Sequence, residues 1–152
     1  MSESVHGTAI LVGADGVLIR GESGAGKSAL ALALIERGAR LIADDVLTLS
    51  ACHGRIVATA PAAIAGRIEL RGHGLISVPH EQGAVIRLVV DIVDEDGLER
   101  MPEAHHLSTV LLGVTLPRQP VPGSTERALR LVASALAAFT PSEDGGLRLV
   151  QV

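Results

Sequence analysis

Short apolar runs broken by glycine and polar residues recur along the chain, and this pattern predicts many short strands. The first two runs, Thr8–Val12 and Val17–Arg20, flank the segment Gly13-Ala14-Asp15-Gly16. Asp and Gly both tolerate positive φ, so this segment predicts a hairpin that turns at Asp15-Gly16. A second predicted hairpin turns at His53-Gly54. The other predicted strands are Arg40–Ala43, Val46–Ser50, Arg55–Ala60, Ile68–Leu70, Gly74–Val78, Val85–Val93 and Val110–Thr115.

Two segments have the spacing and composition of helices. Lys27–Arg37 is rich in Ala and Leu and apolar almost all round, which predicts a helix buried between a sheet and another layer and ended by Gly38. A second helix is predicted from Ser124 or Thr125, before a weakly patterned tail after Pro141. Its buried face would hold Leu129, Val132, Leu136 and Phe139, and a connection with Pro117, Pro120 and Pro122 would precede it. Many strands and few helices predict a mixed α/β sheet.

Composition limits the function classes. The 152 residues, 47% of them hydrophobic, suffice for one core, so we expect a single domain over residues 1–152. The net charge of −4 does not suit a polyanionic surface, and Phe139 is the only aromatic residue. Binding of single-stranded nucleic acid relies on aromatic rings that stack on the bases. We therefore expect no nucleic-acid partner.

The cysteine count and the N-terminal sequence bear on the compartment. Cys52 is the only cysteine, which excludes an internal disulfide and favours a reducing compartment. Met1–Val5 has no signal-peptide pattern, and the sequence has no apolar run of about 18 residues. The histidines lack the spacing of a metal site. We expect a cytoplasmic protein with no membrane association.

A phosphate-binding motif gives the clearest chemical signal. The segment Gly21-Glu22-Ser23-Gly24-Ala25-Gly26-Lys27-Ser28 fits the pattern G-x-x-x-x-G-K-[ST] and lies between a predicted strand and a predicted helix. Glycines allow backbone N–H groups to surround phosphate, and the helix N-terminus adds positive dipole character. Lys27 would contact the β- and γ-phosphates and the Ser28 hydroxyl would ligate Mg²⁺. The motif predicts nucleotide binding.

Two adjacent carboxylates follow the next predicted strand. Asp44 and Asp45 end the run that begins at Arg40. A phosphoryl-transfer site needs an acid that orients the metal and a base for the attacking hydroxyl. Alternation along an extended chain sends the two side chains to opposite faces, which favours different roles. The alternative is a solvated turn, in which Asp pairs are common.

These motifs, taken in order, resemble the bacterial HPr kinase/phosphorylase family, whose catalytic domain shares a P-loop architecture with phosphoenolpyruvate carboxykinase. Beside the P-loop, the resemblance rests on Val5-His6-Gly7, on Glu36 to Asp45, and on Ile68 to Ile76. The last stretch resembles the family signature E-I-R-G-L-G-I-I, with His73 between the two glycines. The resemblance implies a phosphoenolpyruvate carboxykinase-like α/β fold.

The resemblance also implies roles for individual residues. His6 would assist catalysis, Asp45 would take the proton from the substrate serine, and Glu69 would contact the metal beside Ser28. Arg100 is the counterpart of a catalytic arginine. Glu69 and Arg71 could instead form an ordinary ion pair on one strand face. The implied cofactors are ATP and Mg²⁺, the implied substrate is the phosphocarrier HPr, and the implied assembly is a homo-oligomer, a hexamer in the family.

Two departures from the family pattern shape the expectation. The chain starts almost at the catalytic domain, which suggests a short form without the family's N-terminal domain. The family element P-V-x-x-G-R, tied to the phosphorolytic reverse reaction, appears as Pro120-Val121-Pro122-Gly123-Ser124 without its arginine. We therefore expect kinase activity rather than phosphorylase activity.

Three other function classes would use the same P-loop. A small-molecule kinase would need an Arg-rich lid segment, which the sequence lacks. A GTPase would need a guanine motif N-K-x-D, and only the D-x-x-G pattern of Asp94-Glu95-Asp96-Gly97 is present. A non-catalytic nucleotide-binding regulator remains open, although Lys27, Asp45 and Glu69 together favour an enzyme.

Overall fold

The computed structural model describes residues 1–139, so the predicted tail after Pro141 lies outside the described residues. The two α-helices are α1 (Lys27–Ile35) and α2 (Thr125–Ala137). The strands are β1 (Ser2–His6), β2 (Thr8–Val12), β3 (Asp15–Arg20), β4 (Arg40–Ala43), β5 (Val46–Cys52), β6 (Arg55–Thr59), β7 (Arg67–Leu70), β8 (Gly74–Ser77), β9 (Gly83–Ile92), β10 (Ser108–Leu111) and β11 (Val114–Val121).

A nine-stranded mixed sheet organises the fold, as the sequence predicts. Its main path runs β1-β5-β6-β9-β3-β2-β4, with β11 joining β9 and β10 joining β11. The strands β3, β9 and β11 are mutually parallel where they pair, and the other pairs are antiparallel. Because β3 and β9 are parallel, their carboxyl ends meet at one edge of the sheet, where the P-loop begins.

The sheet separates two hydrophobic cores, one on each of its faces. On one face, α1 and α2 pack on β2, β3, β9 and β11, with Leu30, Leu34, Val132 and Leu136 fully buried. On the other face, β5 and β6 curl over the sheet and bury Leu47, Leu49 and Ile56. The separate hairpin of β7 and β8 attaches to the first core through Ile68. This hairpin comes to lie beside α1.

Both helices form where the sequence places them. The helix α1 ends two residues early, and Gly38, with φ of +105°, follows it. One face of α1 is only half-buried, because Ala29, Leu32 and Ala33 line a cleft. On α2, Leu129, Val132 and Leu136 are buried and Phe139 packs against the same core. Within residues 1–139, no helix is long and apolar enough to cross a bilayer.

The turn of the first hairpin is Gly13-Ala14, not Asp15-Gly16 as predicted. Asp15 and Gly16 belong to β3, where Asp15 pairs with Val12. Gly13 has φ of +61°, the positive value that a tight two-residue hairpin needs. Gly16 has a different task, because a Cβ there would lie 2.3 Å from the carbonyl oxygen of Val85. The glycine permits close contact with β9 instead of the turn.

The predictions of one strand over Val110–Thr115 and of a proline-rich connection after it are also wrong. The chain turns at Leu112-Gly113, with φ of +47° and +79°, and divides this segment between β10 and β11. Pro117 and Pro120 lie within β11. The Val121 carbonyl faces β9 and accepts a hydrogen bond from Val93 N, so alternation points the Pro120 nitrogen away from β9. Within residues 1–139, no strand pairs with that side of β11 at Pro120, which makes proline tolerable there.

Candidate active site

The P-loop connects the central strand β3 to the buried helix α1. Gly24 and Gly26 have φ of +82° and +113°, which any side chain would strain. Gly26 is the N-cap residue of α1, so the free N–H groups of the first helical turn open into a cleft of about 1050 Å³. The cleft is lined by Gly21, Ser23, Gly24, Gly26, Lys27 and Ser28 on this side. The loop therefore has the form of an anion-binding site.

Lys27 folds back over the loop that precedes it. Its Nζ donates hydrogen bonds to the carbonyl oxygens of Gly21 at 2.7 Å and Glu22 at 2.9 Å. These contacts hold the ammonium group at the mouth of the loop, where phosphate oxygens would compete for the same donors. Glu22 itself is exposed, and Ala25 N closes the turn by donating to its carbonyl oxygen.

Asp44 joins four elements of the site. Its Oδ1 accepts hydrogen bonds from Thr8 Oγ1 at 2.9 Å and from Ser28 Oγ at 3.0 Å. The backbone N–H of Glu69 lies 3.5 Å from its Oδ2. Thr8 is fully buried, so its hydroxyl fixes the carboxylate from behind. The carboxylate is thereby oriented toward the start of α1.

Asp45 lies next to Asp44 but points elsewhere. It has φ of +74°, and Val46 N donates to Asp44 O at 2.9 Å across it, which defines a γ-turn with Asp45 at its centre. Gly7 N donates to the Asp45 carbonyl at 3.1 Å and holds the turn in place. The Asp45 side chain is exposed and lines the cleft. The two carboxylates thus differ in environment, but both line the same cleft, because the γ-turn at Asp45 interrupts the strand alternation from which opposite faces were predicted.

The second wall of the cleft comes from the hairpin of β7 and β8. We call the six cleft-lining residues of this region the hairpin wall, and they are Ile64, Arg67, Glu69, Leu70, Arg71 and Leu75. Glu69 is exposed and forms no ion pair with Arg71 among the described residues. His6, at the end of β1, is also exposed and lines the cleft.

The structure brings most of the predicted site residues to one cleft, but Glu22, Ala25 and Arg100 are not among its lining residues. His6, Lys27, Ser28, Asp45 and Glu69 all line the cleft, whereas Arg100 does not. Arg100 is exposed, in the segment that leaves the end of β9 and precedes a 3₁₀ turn at Ala104–Leu107. The arginines at the cleft are Arg67 and Arg71. A catalytic role for Arg100 stays a prediction.

The sequence motifs do not predict two contacts of the site, those of Asp44 with Ser28 and with Thr8. Asp44 was expected to serve either as a metal-orienting acid or as a base, and its hydrogen bond to Ser28 distinguishes it from Asp45. Thr8, on β2, carries no motif of its own. It reaches Asp44 because β2 pairs with β4 through Ala9 and Ala43. The pairing of two strands that are distant in sequence cannot be predicted from a single sequence.

A partly buried charge cluster supports the strand that feeds the P-loop. Asp91 accepts two hydrogen bonds from Arg20, at 2.7 and 2.8 Å, and one from Arg118 Nε at 2.5 Å. Burial raises the pKa of the Asp91 carboxyl, but the hydrogen bonds and charges of the two arginines outweigh burial and lower its pKa below the ordinary value. Arg20 directly precedes Gly21, so this cluster holds the backbone at the start of the P-loop.

The donor set of the cleft fits a magnesium ion. Mg²⁺ prefers hard oxygen ligands and is usually held by one or two carboxylates together with substrate phosphates. The Ser28 hydroxyl and the Asp44 carboxylate are 3.0 Å apart, and Glu69 lines the same cleft. These oxygens have the required chemistry. No set of three or more His, Cys, Asp or Glu residues in the described part of the chain could form a complete metal site without a ligand.

Comparisons with known proteins agree with this geometry. The HPr kinase/phosphorylase of Levilactobacillus brevis is 35% identical over 145 residues, covering 89% of this chain and 47% of that protein. The enzyme of the same name from Clostridium tetani is 43% identical over 88 residues, covering 58% of this chain and 28% of that protein. The chain therefore spans about half the length, or less, of these curated relatives.

A solved structure and a family model give the widest coverage. The chain is similar to the structure described as the Hpr(Ser) kinase/phosphatase from Coxiella burnetii, with a TM-score of 0.76 and 26% identity. That match covers 90% of this chain and 97% of the other. The family model described as HPr Serine kinase C-terminal domain matches residues 1–148. The chain therefore belongs to the HPr Serine kinase C-terminal domain family.

Proposed function

We propose that this protein is an ATP- and Mg²⁺-dependent kinase that phosphorylates a serine of an HPr-type phosphocarrier in the bacterial cytoplasm. One observation carries the proposal. Asp44 is fixed on Ser28 of the P-loop, while the adjacent Asp45 stands exposed in the same cleft. Phosphoryl transfer needs these two arrangements together, one carboxylate at the metal position and one available to the attacking hydroxyl.

The P-loop residues would bind the triphosphate and neutralise its charge. The N–H groups at the start of α1 face the cleft and donate to phosphate oxygens. Lys27 exchanges its contacts with the Gly21 and Glu22 carbonyl oxygens for contacts with the β- and γ-phosphates. Its positive charge then stabilises the negative charge that spreads over the γ-phosphoryl oxygens during transfer.

Ser28, Asp44 and Glu69 would hold the metal ion. When bound, Mg²⁺ would neutralise the negative charge that develops on the phosphates during transfer. Thr8 keeps Asp44 oriented by donating from its buried hydroxyl. The Ser28 hydroxyl donates to Asp44 and lines the cleft. Glu69 is placed by its own backbone N–H, which faces the Asp44 carboxylate at 3.5 Å.

Asp45 would act as the general base. It takes the proton from the substrate serine as the serine oxygen forms a bond to the γ-phosphorus and the bond to the β-phosphate oxygen breaks. The products are phosphoserine, ADP and a proton on Asp45. His6 lies on the neighbouring strand, since its Cα pairs with that of Val46 in the register of β1 and β5. His6 would assist that proton transfer.

Two rival functions are less well supported. Family membership favours a protein kinase over a kinase for small molecules, and the carboxylate pair at the cleft favours an enzyme over a passive nucleotide sensor. The segment Pro120 to Ser124 lies beside the P-loop, with Gly123 O 3.6 Å from the Cβ position of Gly26. Because this segment lacks the arginine of the family element, we propose that the forward kinase reaction dominates over phosphorolysis.

The decisive experiment is transfer of label from γ-labelled ATP to a purified HPr-type phosphocarrier. The wild-type protein is expected to label the carrier on serine, and Asp45→Asn is expected to lower the rate at least about 100-fold, the scale of a lost general base. Asp96→Asn, which removes an exposed carboxylate outside the cleft, is the matched control. Labelling of a metabolite in place of the carrier would favour a small-molecule kinase.

The assembly implied by the family resemblance is a separate proposal. We propose that the protein forms a homo-oligomer, with six copies as the expected number. Light scattering coupled to size-exclusion chromatography measures the mass of the particle directly. A single 15.7 kDa species at micromolar concentration would contradict this proposal.

A further inference from the structure

The charge cluster of Asp91, Arg20 and Arg118 lies outside the cleft, and no step of the proposed reaction uses it. None of its three residues lines the cleft. Asp91 and Arg20 each follow by two positions a residue, Val89 and Leu18, that is buried in the core under β5 and β6. Strand alternation therefore places the cluster on the sheet face opposite to α1. Partly buried ion pairs of this kind can select one arrangement of the elements that they join.

The first link of the cluster leads to the start of the P-loop. Arg20 pairs with Asp91 in the register of β3 and β9, and its guanidinium group donates to both oxygens of the Asp91 carboxylate. Such a bidentate contact fixes orientation as well as distance. The next residue, Gly21, lies close to β9, because a Cβ there would be 3.2 Å from the Cβ of Ile92. The Gly21 carbonyl oxygen accepts a hydrogen bond from Lys27 Nζ, so the backbone beside Arg20 also positions the lysine.

The second link leads through β11 to the other end of the loop. Arg118 donates from Nε to the same carboxylate. The ladder that joins β11 to β9 covers only four residue pairs, so this side-chain contact is a large part of the connection. Beyond the ladder, Gly123 O lies 3.6 Å from the Cβ position of Gly26, and Ala25 O lies 3.5 Å from the Cβ position of Gly123. The segment that Arg118 helps to hold therefore packs against the end of the P-loop.

A glycine-rich loop needs such support for a physical reason. Glycine loses more conformational freedom on ordering than any other residue, and Gly24 and Gly26 adopt positive φ within this loop. If the loop were ordered only by its ligand, the cost of ordering would reduce the affinity for phosphate. Contacts that order the loop beforehand increase affinity without touching the ligand.

We propose that Asp91 is a positioning residue of the nucleotide site, which holds both ends of the P-loop in the phosphate-binding conformation through Arg20 and Arg118. This inference rests on the proposed function, because the phosphates of ATP are the ligand whose binding it strengthens. Asp91 lies outside the cleft and touches neither the substrate nor the reacting atoms. Its loss therefore weakens phosphate binding and leaves the acceptor side of the cleft as it is.

Two variants test the two links, and a third is the control for stability. Asp91→Asn removes the charge that joins both arginines, and Arg118→Gln removes only the link to β11. Ile56→Ala is the control, because Ile56 is fully buried in the core under β5 and β6 and no residue of β6 lines the cleft. Its truncation destabilises the fold by leaving a cavity in the core. It does so without altering a contact of the P-loop.

The measurements are the Kd for Mg²⁺-ATP, the Kd for Mg²⁺-tripolyphosphate, and the KM for a purified HPr-type phosphocarrier, at a temperature at which melting curves show every variant to be folded. Asp91→Asn is expected to raise both Kd values about tenfold, which corresponds to about 1.4 kcal/mol. An equal rise for the two ligands locates the effect on the phosphates, since tripolyphosphate has no nucleoside.

The other variants have their own expected results. Arg118→Gln should raise both Kd values by a smaller factor than Asp91→Asn, because the link through Arg20 remains. The KM for the carrier should stay at the wild-type value in both variants. Ile56→Ala should melt at a lower temperature than wild type but bind both ligands with the wild-type Kd.

The outcomes separate this inference from the proposed function. Wild-type Kd values for Asp91→Asn would overturn the positioning role and leave the kinase function standing. An equal rise for Ile56→Ala would also overturn it, since the rise would then follow from lower stability alone. Wild-type Kd values for Arg118→Gln would overturn the hold on the second end of the loop. A wild-type protein that bound neither ligand would overturn the proposed function and the positioning role together.

Discussion

Asp44 and Asp45 are adjacent, identical residues that the structure places in different environments. Asp44 is half-buried and accepts hydrogen bonds from Thr8 and Ser28, so its side chain is held in one orientation. Asp45 occupies the centre of a γ-turn with φ of +74° and stays exposed in the cleft. Backbone strain of this kind costs roughly 1–3 kcal/mol and is concentrated at functional sites. The strain directs the Asp45 side chain into the cleft.

The strain at Asp45 predicts a conflict between stability and activity. Asp45→Gly is expected to raise the free energy of unfolding by about 1 kcal/mol, because glycine adopts positive φ without a steric penalty. The same variant should abolish transfer to the phosphocarrier. Chemical denaturation of wild type and variant measures the first effect, and the labelled-ATP assay measures the second.

The control for this prediction is Asp45→Asn, which keeps a side chain of the same size at the same φ. Its free energy of unfolding should equal that of wild type, since asparagine also tolerates the left-handed region. If Asp45→Gly were less stable than Asp45→Asn, the γ-turn would not be strained in solution.

The sequence predicts the site residues unequally. The P-loop residues follow from a local motif, since Gly21 to Ser28 are consecutive and their roles depend on backbone conformation alone. Thr8 and Arg67 enter the site only because β2 pairs with β4 and because β7 folds over α1. Such contacts between distant segments depend on tertiary packing. Sequence periodicity does not encode them.

At the scale of elements, the wrong turn at Asp15-Gly16 has a physical cause. A glycine after aspartate favours a turn, but Gly16 pairs with Leu11 and lies against Val85 of β9. Close approach of a neighbouring strand is the second reason for glycine in a strand. Leu112-Gly113 is the opposite case. Leucine is not a typical turn residue, so the apolar run predicts one strand where the structure has a hairpin of β10 and β11.

Gly16 can be tested directly. Gly16→Ala would place a Cβ 2.3 Å from Val85 O, and the pairing of β3 with β9 would have to shift. We expect a loss of about 2 kcal/mol or more in the free energy of unfolding, as for overpacking in a core. Gly97→Ala is the control, because the nearest atom there is 3.6 Å away and its φ is not positive. Equal stability of the two variants would contradict the close contact.

The cluster of Asp91, Arg20 and Arg118 links three parallel strands. Asp91→Asn is expected to lower the free energy of unfolding at pH 7 by about 2 kcal/mol, the scale of hydrogen bonds to charged groups. Because Asn has nearly the same shape as Asp, the loss of stability would arise from the removed charge and not from a change in side-chain volume. Asp96→Asn, at an exposed site without an ion pair among the described residues, should have no effect.

The pH dependence of this loss follows from the direction of the pKa shift. The pKa of Asp91 in the folded protein lies below the ordinary value of 3.8, so its carboxylate contributes full stability above that value. The contribution decreases as the pH falls below 3.8 toward the folded pKa. Urea denaturation at pH 7, 5, 4 and 3 should therefore show a constant difference between wild type and Asp91→Asn at the two highest values. If the difference in free energy of unfolding between wild type and Asp91→Asn grew as the pH fell, the lowered pKa of Asp91 would be contradicted.

At the scale of the whole molecule, the proposed nucleotide site is continuous with the structural core. The P-loop begins at the end of β3, which pairs with both β2 and β9 at the centre of the sheet. It ends in α1, which buries Leu30, Ala31 and Leu34 in the main core. A ligand that binds the loop therefore stabilises both elements, because unfolding either one destroys the site.

This connection predicts that Mg²⁺ and ATP stabilise the whole fold and that Lys27 is required for the effect. At a concentration 100 times the Kd, a ligand specific for the folded state contributes about 2.7 kcal/mol, which corresponds to several degrees in Tm for a domain of this size. Lys27→Ala should melt like wild type without ligand, since its half-buried side chain bonds only loop carbonyls. It should lose the nucleotide-dependent rise in Tm, while Arg130→Ala, which removes an exposed cation on α2, should keep it. A full rise in Tm for Lys27→Ala would place the nucleotide away from the P-loop, and the assignment of Ser28, Asp44 and Asp45 to phosphoryl transfer would then lose its basis.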